Sequence, residues 1–215
     1  MTTDLAETLP LAQRLALSYA PRSARAPALA LLALDQRLAA VLRAGGQNGD
    51  GAQTIAQIKL AWWRERLREG PANWPEGEPL LALLRDFPGG TVPLADIVDG
   101  WEMLLTEHLD QTAIAEFASG RASGWQALGG DRAGRAARNW AMADLWLNLP
   151  DGEEAITVRA MLDAEEWNRV RLPRQARPLQ VLHALAGRAL RRDAEELLDG
   201  PGAMFTAMRV GIIGR

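Results

Sequence analysis

Carboxylates three or four positions apart stand on one face of a helix and can share a divalent cation through their oxygens. Asp96 and Asp99, in the stretch ADIVDGWE, are the best such pair in the chain. Asp96 also falls in the first turn of its expected helix, where the dipole favours an acid without any metal. Glu153 and Glu154, and the group Asp163, Glu165 and Glu166, lie near expected helix starts too and read as solvated caps. The two histidines, His108 and His183, are too far apart in the chain to suggest a shared metal site. His108 sits beside Glu107 and near Asp110, but no Gly-x-Ser-x-Gly elbow supplies a nucleophile. His183 falls among Leu179, Leu182 and Leu185, where a hydrogen-bonded, partly buried imidazole is expected rather than a general base.

Anion binding is the other chemistry within reach. Arginines cluster at Arg132, Arg135 and Arg138, and again at Arg169, Arg171, Arg174 and Arg177 around Leu172-Pro173. Guanidinium groups gathered in this way can hold phosphate or an anionic headgroup in a bidentate manner, or form a solvated face balanced by nearby acids. The glycine-rich stretch from Gly45 to Thr54 precedes a helix, but it lacks a Gly-Lys-Ser/Thr ending and follows a helical segment, so it reads as a loop. Trp62 and Trp63 must point to opposite sides of their helix, one into the core and the other toward a neighbouring helix or a ligand.

The elements that would position these residues are helices. Ala and Leu dominate the sequence while Val, Ile and Thr are sparse, so the fold class expected is all-α. Leu31, Leu34, Leu38 and Val41 form a core-facing stripe of a helix over Pro27 to Arg43, with Ser23 as a cap and Gly45-Gly46 as a stop. A second helix is expected from Thr54 to Gly70-Pro71, a short one over Leu80 to Arg85, and another from Thr91 to about Leu109. Helices near 112–128 and 132–148 follow, the latter capped by Asp131, then shorter ones near 153–161 and 163–170. A longer helix over Pro178 to Leu198 precedes a Gly-Pro-Gly break, and Ala203 to Arg209 add a last turn or two.

Composition excludes several classes. The 215 residues are 48% hydrophobic and 24% charged, the balance of a foldable globular chain, and one domain across residues 1–215 is expected. Cysteine is absent, which excludes thiolate nucleophiles, iron–sulfur ligation and disulfides. Of the 24 basic residues only Lys59 is a lysine, and the net charge of −3 argues against a nucleic-acid binder. No apolar run approaches the roughly 20 residues of a membrane-spanning helix, and the start MTTDLAETLP lacks the pattern of a signal peptide. The location expected is cytoplasmic, with peripheral contact at the inner membrane left open by the Arg169 to Arg177 cluster and the tail MRVGIIGR.

Two stretches taken together resemble the squalene/phytoene synthase family. APALALLALDQRLAAVLR, followed after a glycine loop by QIKLAWWRERL, is similar to the family's first block, which ends in a like Arg/Lys-x-x-Trp-Trp-Arg helix. PLLALLRDFPGGTVPLADIVDGWEMLL, AEFASGRASGWQAL and LPRQARPLQVLHALAGRAL resemble its central helices and C-terminal block. The resemblance implies an isoprenoid (terpenoid) synthase-like helical bundle, here shortened. In active members two Asp-rich clusters hold Mg²⁺ against a diphosphate leaving group. Alignment by resemblance puts the first cluster on Ala39, Ala40 and Arg43, and the second on a helix where Asp144 stands alone; Leu104 and Phe117 replace an Asp and a Tyr.

The run Leu34, Asp35, Gln36, Arg37, Leu38 looks closer to the family's divergent branch, which includes a mitochondrial assembly factor for respiratory complex I and its bacterial relatives and lacks the metal clusters. The function this implies is a non-catalytic, pseudoenzyme-like domain that binds a lipid, a prenyl compound or a partner protein. Its ligand-binding candidates are Asp35, Arg43, Trp63, Arg64, Arg138 and Asp144, with no catalytic residue and no metal ligand. The alternative is an active prenyl transferase using Mg²⁺ with displaced acids such as Asp96, Asp99 and Asp144.

Overall fold

The structure is a computed structural model that describes residues 2–46 and 50–214. Every regular element in them is helical: α1 (Thr2–Glu7), α2 (Leu11–Ser18), α3 (Arg22–Gly46), α4 (Asp50–Glu69), α5 (Pro79–Leu84), α6 (Val92–Glu102), α7 (Gln111–Gly129), α8 (Asp131–Asn148), α9 (Glu153–Ala164), α10 (Arg177–Arg192) and α11 (Gly200–Ile213). The all-α expectation is met. Single 3-10 turns add Pro71–Asn73, Met103–Leu105 and Arg174–Ala176.

The long central helices form where small and straight-chain residues dominate and where caps define the ends. Asp110 starts α7 by accepting a hydrogen bond from the Ala113 N–H at 2.8 Å, and Glu78 starts α5 through the Leu80 N–H at 3.2 Å. α7 packs along both α6 and α8, α10 lies against α8, α11 and α2, and α4 bridges α3 and α6. The crossing of α6 and α7 is tight because glycine faces glycine. A Cβ on Gly120 would stand 2.5 Å from the Asp96 carbonyl oxygen and 2.7 Å from the Gly100 Cα. Leu32, Leu34, Leu60, Leu94, Phe117 and Trp140 fill the interior, part of one continuous hydrophobic cluster.

Several boundaries differ from the sequence expectation. α3 begins five residues before Pro27, which lies inside the helix; the flanking Ala24 and Ala28 are strong helix formers and both are buried, which outweighs the donor that proline lacks. Ser23 is therefore inside the helix rather than its cap. α4 starts at Asp50, not Thr54, and residues 47–49 at the centre of the glycine stretch lie outside the described residues. α6 ends at Glu102, short of Leu109. The N-cap of α8 is Gly130, at φ 72°, and Asp131 lies one residue inside, accepting from Gln126 Nε2 at 3.2 Å. No separate helix forms over 163–170: α9 ends at Ala164 and the chain then runs extended into Pro173. α10 ends at Arg192 because Asp193 takes the left-handed conformation, φ 50°, so Leu198 lies beyond it. The last helix, α11, is longer than the turn or two expected.

Candidate functional site

Asp35 on α3, Arg121 on α7 and Asp144 on α8 meet where these three helices enclose the core. Arg121 Nε donates to Asp35 Oδ1 at 2.7 Å, and its Nη2 donates to Asp35 Oδ2 at 2.5 Å and to Asp144 Oδ2 at 2.7 Å. Trp101 Nε1 adds a third donor to Asp35 at 2.9 Å. Arg121 and Asp35 are 2% and 4% exposed, so this is a buried fork-on-fork pair and not a surface contact. The guanidinium also lies 4.3 Å from the Trp140 ring centroid and 5.3 and 5.6 Å from those of Trp101 and Phe117.

The charges follow from this geometry. Three donors face Asp35, and the Asp144 carboxylate shares the same Arg121 Nη2. Burial pushes its carboxyl above the ordinary range, against the pull of the Arg121 charge and hydrogen bonds. Burial acts the other way on Arg121, but Asp35 and then Asp144 together hold its guanidinium above the usual value. Little space remains: the gap bounded by Asp35, Arg121, Trp125 and Trp140 holds about 10 Å³, room for roughly one water molecule.

The six residues expected at a ligand site do not form one. Asp35 and Asp144 come together through Arg121, each held by an arginine and neither facing a cavity of ligand size. Trp63 is buried at 4% and Trp62 is 38% exposed, as their positions on one helix require. Trp63 instead borders a shallow groove with Arg37 and Lys59, its ring 5.8 Å beneath the Arg37 guanidinium. Arg64 pairs with Glu102 and, at 3.5 Å, with Asp99. Arg43 is exposed near the end of α3, and Arg138 is exposed on α8 at the rim of a different cleft.

Divalent metal fits none of these arrangements. Asp99 is engaged by Arg64 and by Arg68, the latter at 2.8 Å, Asp96 is exposed, and Asp144 belongs to the interior pair. Among the described residues no three acidic or histidine side chains gather to hold an ion. Arg121 is the residue of this cluster that sequence reasoning missed. Its signal was a lone arginine inside the small-residue run ASGRASG, flanked at helical spacing by Phe117 and Trp125, where a charge has no surface to occupy.

A groove of about 680 Å³ between α7, α8 and α9 carries Glu116 and Glu165 beside one arginine, Arg138, while two other adjoining clefts are basic. A cleft of about 480 Å³ between α8, α10 and the 165–173 segment is rimmed by Arg132, Arg135, Arg138, Arg169 and Arg171. A smaller one of about 170 Å³ adjoins it, with Arg188, Arg191 and Arg209 on its wall, and shares Arg169 and His183 with the first. His183 is buried and stacked on Trp167, 5.1 Å between centroids, and makes no hydrogen bond among the described residues, where a bonded imidazole was expected. Burial, with a contribution from Arg191, pulls it down to about 4, so it is neutral at ordinary pH. Beside the small cleft, α11 packs through Ala203, Ala207 and Val210 and turns Met204, Phe205, Met208, Ile212 and Ile213 outward.

Comparisons with models of known families, with curated proteins and with solved structures found no match to this chain. No described helix is long and apolar enough to cross a membrane.

Proposed function

We propose that this chain is a non-catalytic relative of the squalene/phytoene synthases, of their divergent branch and their terpenoid synthase-like bundle, which works as a lipid-surface binding or assembly module. The observation that carries the first half is the Arg121 guanidinium seated on Asp35 in the filled interior. Ionising an allylic diphosphate requires clustered carboxylates around a cation and an apolar cavity for the chain. Here the interior acid is neutralised by arginine, and the space beside it takes about one water.

With the interior closed, ligands must be met at the surface, and the exposed face of α11 supports a bilayer as the ligand. Five large apolar side chains project from one helix with Arg188, Arg191 and Arg209 lining the neighbouring cleft. Apolar residues beside cations suit an interface that offers acyl chains beneath anionic headgroups. The module so read attaches peripherally, by α11, next to the membrane assemblies it serves.

Two measurements test this reading. Purified protein given farnesyl or geranylgeranyl diphosphate with Mg²⁺ releases no pyrophosphate; release above background refutes the non-catalytic assignment. In co-sedimentation, vesicles of phosphatidylcholine with phosphatidylglycerol retain the protein at low salt and lose it as salt rises. Equal partition to neutral and anionic vesicles, or none to either, refutes the electrostatic attachment.

A further inference from the structure

Five guanidinium groups around one cleft repel one another, and such an arrangement persists at a cost unless an anion relieves it. Arg132, Arg135 and Arg138 recur every three residues along one face of α8, and Arg169 and Arg171 approach from the extended segment opposite. None of the five makes an ion pair with a described residue, although Glu165 and Glu166 lie on the same rim. Glu166 instead accepts a hydrogen bond from Asn168 Nδ2 at 3.1 Å.

The cleft's floor supplies the second observation. Asn139 and His183 both line it, 7% and 5% exposed, and the polar atoms of neither side chain have a hydrogen-bond partner among the described residues. Neither is sealed off from the cleft, so a ligand entering it can take up their hydrogen bonds. The Asn139 amide can donate twice and the neutral His183 ring once, which suits acceptor oxygens. A tetrahedral anion offers such oxygens in several directions and takes guanidinium forks along its edges.

We propose that this cleft is a binding site for a phosphoryl group, held by the α8 and 165–173 arginines over Asn139 and His183. It lies outside the closed interior and does not depend on membrane attachment through α11. The phosphoryl group can belong to a soluble phosphate compound or to a lipid headgroup, and both sources present the same oxygens.

The test uses the whole chain and three probes. Inorganic phosphate and pyrophosphate are titrated by calorimetry, and phosphatidylcholine vesicles carrying phosphatidic acid are compared with ones carrying phosphatidylglycerol. Saturable pyrophosphate binding supports a soluble source; retention by phosphatidic acid above phosphatidylglycerol, without pyrophosphate binding, supports the headgroup. The double variant Arg135→Gln/Arg169→Gln weakens whichever binding is seen by about a hundredfold, from roughly tenfold for each charged contact. Arg85→Gln, at an exposed position that does not line the cleft, leaves it unchanged. Pyrophosphate also shifts the His183 imidazole resonances in the wild type and not in the double variant. No binding by any probe, or equal binding by the double variant and wild type with matching circular dichroism, overturns the site.

Discussion

Breaking the interior pair costs unequally from its two sides, and removing both partners restores most of what one removal loses. Asp35 accepts three donors and Arg121 is shared between two carboxylates, so the single changes are unequal. Asp35→Asn keeps an acceptor for Trp101 and leaves Arg121 with Asp144, whose side chain is 21% exposed. Its cost falls near the lower end of the roughly 3–5 kcal/mol for unpairing a buried charge. Arg121→Met strands Asp35 with only the Trp101 donor and lies at the upper end of about 3–5 kcal/mol at neutral pH.

The pH sign follows from burial. Asp35 is already raised above its ordinary value, and losing the Arg121 charge raises it further. An acid with a folded value above its unfolded one stabilises fully below the unfolded value and loses that contribution as pH rises through the folded value. Arg121→Met is therefore least impaired near pH 4 and worsens toward pH 8. Asp35→Leu/Arg121→Met removes both charges and comes within about 2 kcal/mol of wild type, since a paired burial nearly breaks even with apolar packing. Urea unfolding followed by circular dichroism at several pH values measures these variants together with the single change Asp35→Leu, which closes the cycle. Costs that simply add in the double variant would show that the two residues are not coupled and refute the reasoning.

Other perturbations read separate parts of the molecule. His183 is lowered to about 4, chiefly by burial, so the native state binds fewer protons than the unfolded chain below about pH 6.5; wild type loses about 3 kcal/mol as pH falls from 6.5 to 4, and His183→Gln removes that slope in denaturant melts. Gly120→Val drives a side chain into the Asp96 carbonyl and the Gly100 backbone, and costs roughly 1–3 kcal/mol in the same assay. Phe205→Glu, at a position 71% exposed, changes stability by no more than about 0.5 kcal/mol yet abolishes retention on anionic vesicles. Trp140→Ala costs about 3–5 kcal/mol, because it empties the largest fully buried side chain against the Arg121 guanidinium.

The helical class was legible because it depends on local composition and period, which the stripe of Leu31, Leu34 and Leu38 displays directly. Helix ends were less so. Pro27 reads locally as a start, and only the burial of Ala24 and Ala28 reveals that the helix extends past it. At 163–170 the spacing of acids and apolar residues suggested a helix, while the Trp167 indole N–H reaches back to the Leu162 carbonyl at 3.0 Å and anchors an extended segment. The pairing of Asp35 with Arg121 spans 86 positions, and nothing local couples them. Asp35 and Asp144 were visible as isolated acids in apolar helices, but their counter-ion could be found only by asking where a lone arginine among glycines and alanines puts its charge.

Trp167 lies nearly flat on His183, the planes 23° apart, at the junction of the two arginine-lined clefts. An indole stacked on an imidazole emits differently when that imidazole gains a proton or its surroundings shift. The molecule thus carries its own optical gauge: occupancy of this corner is visible in tryptophan emission with no attached dye, and replacing Trp167 by Phe supplies the blank.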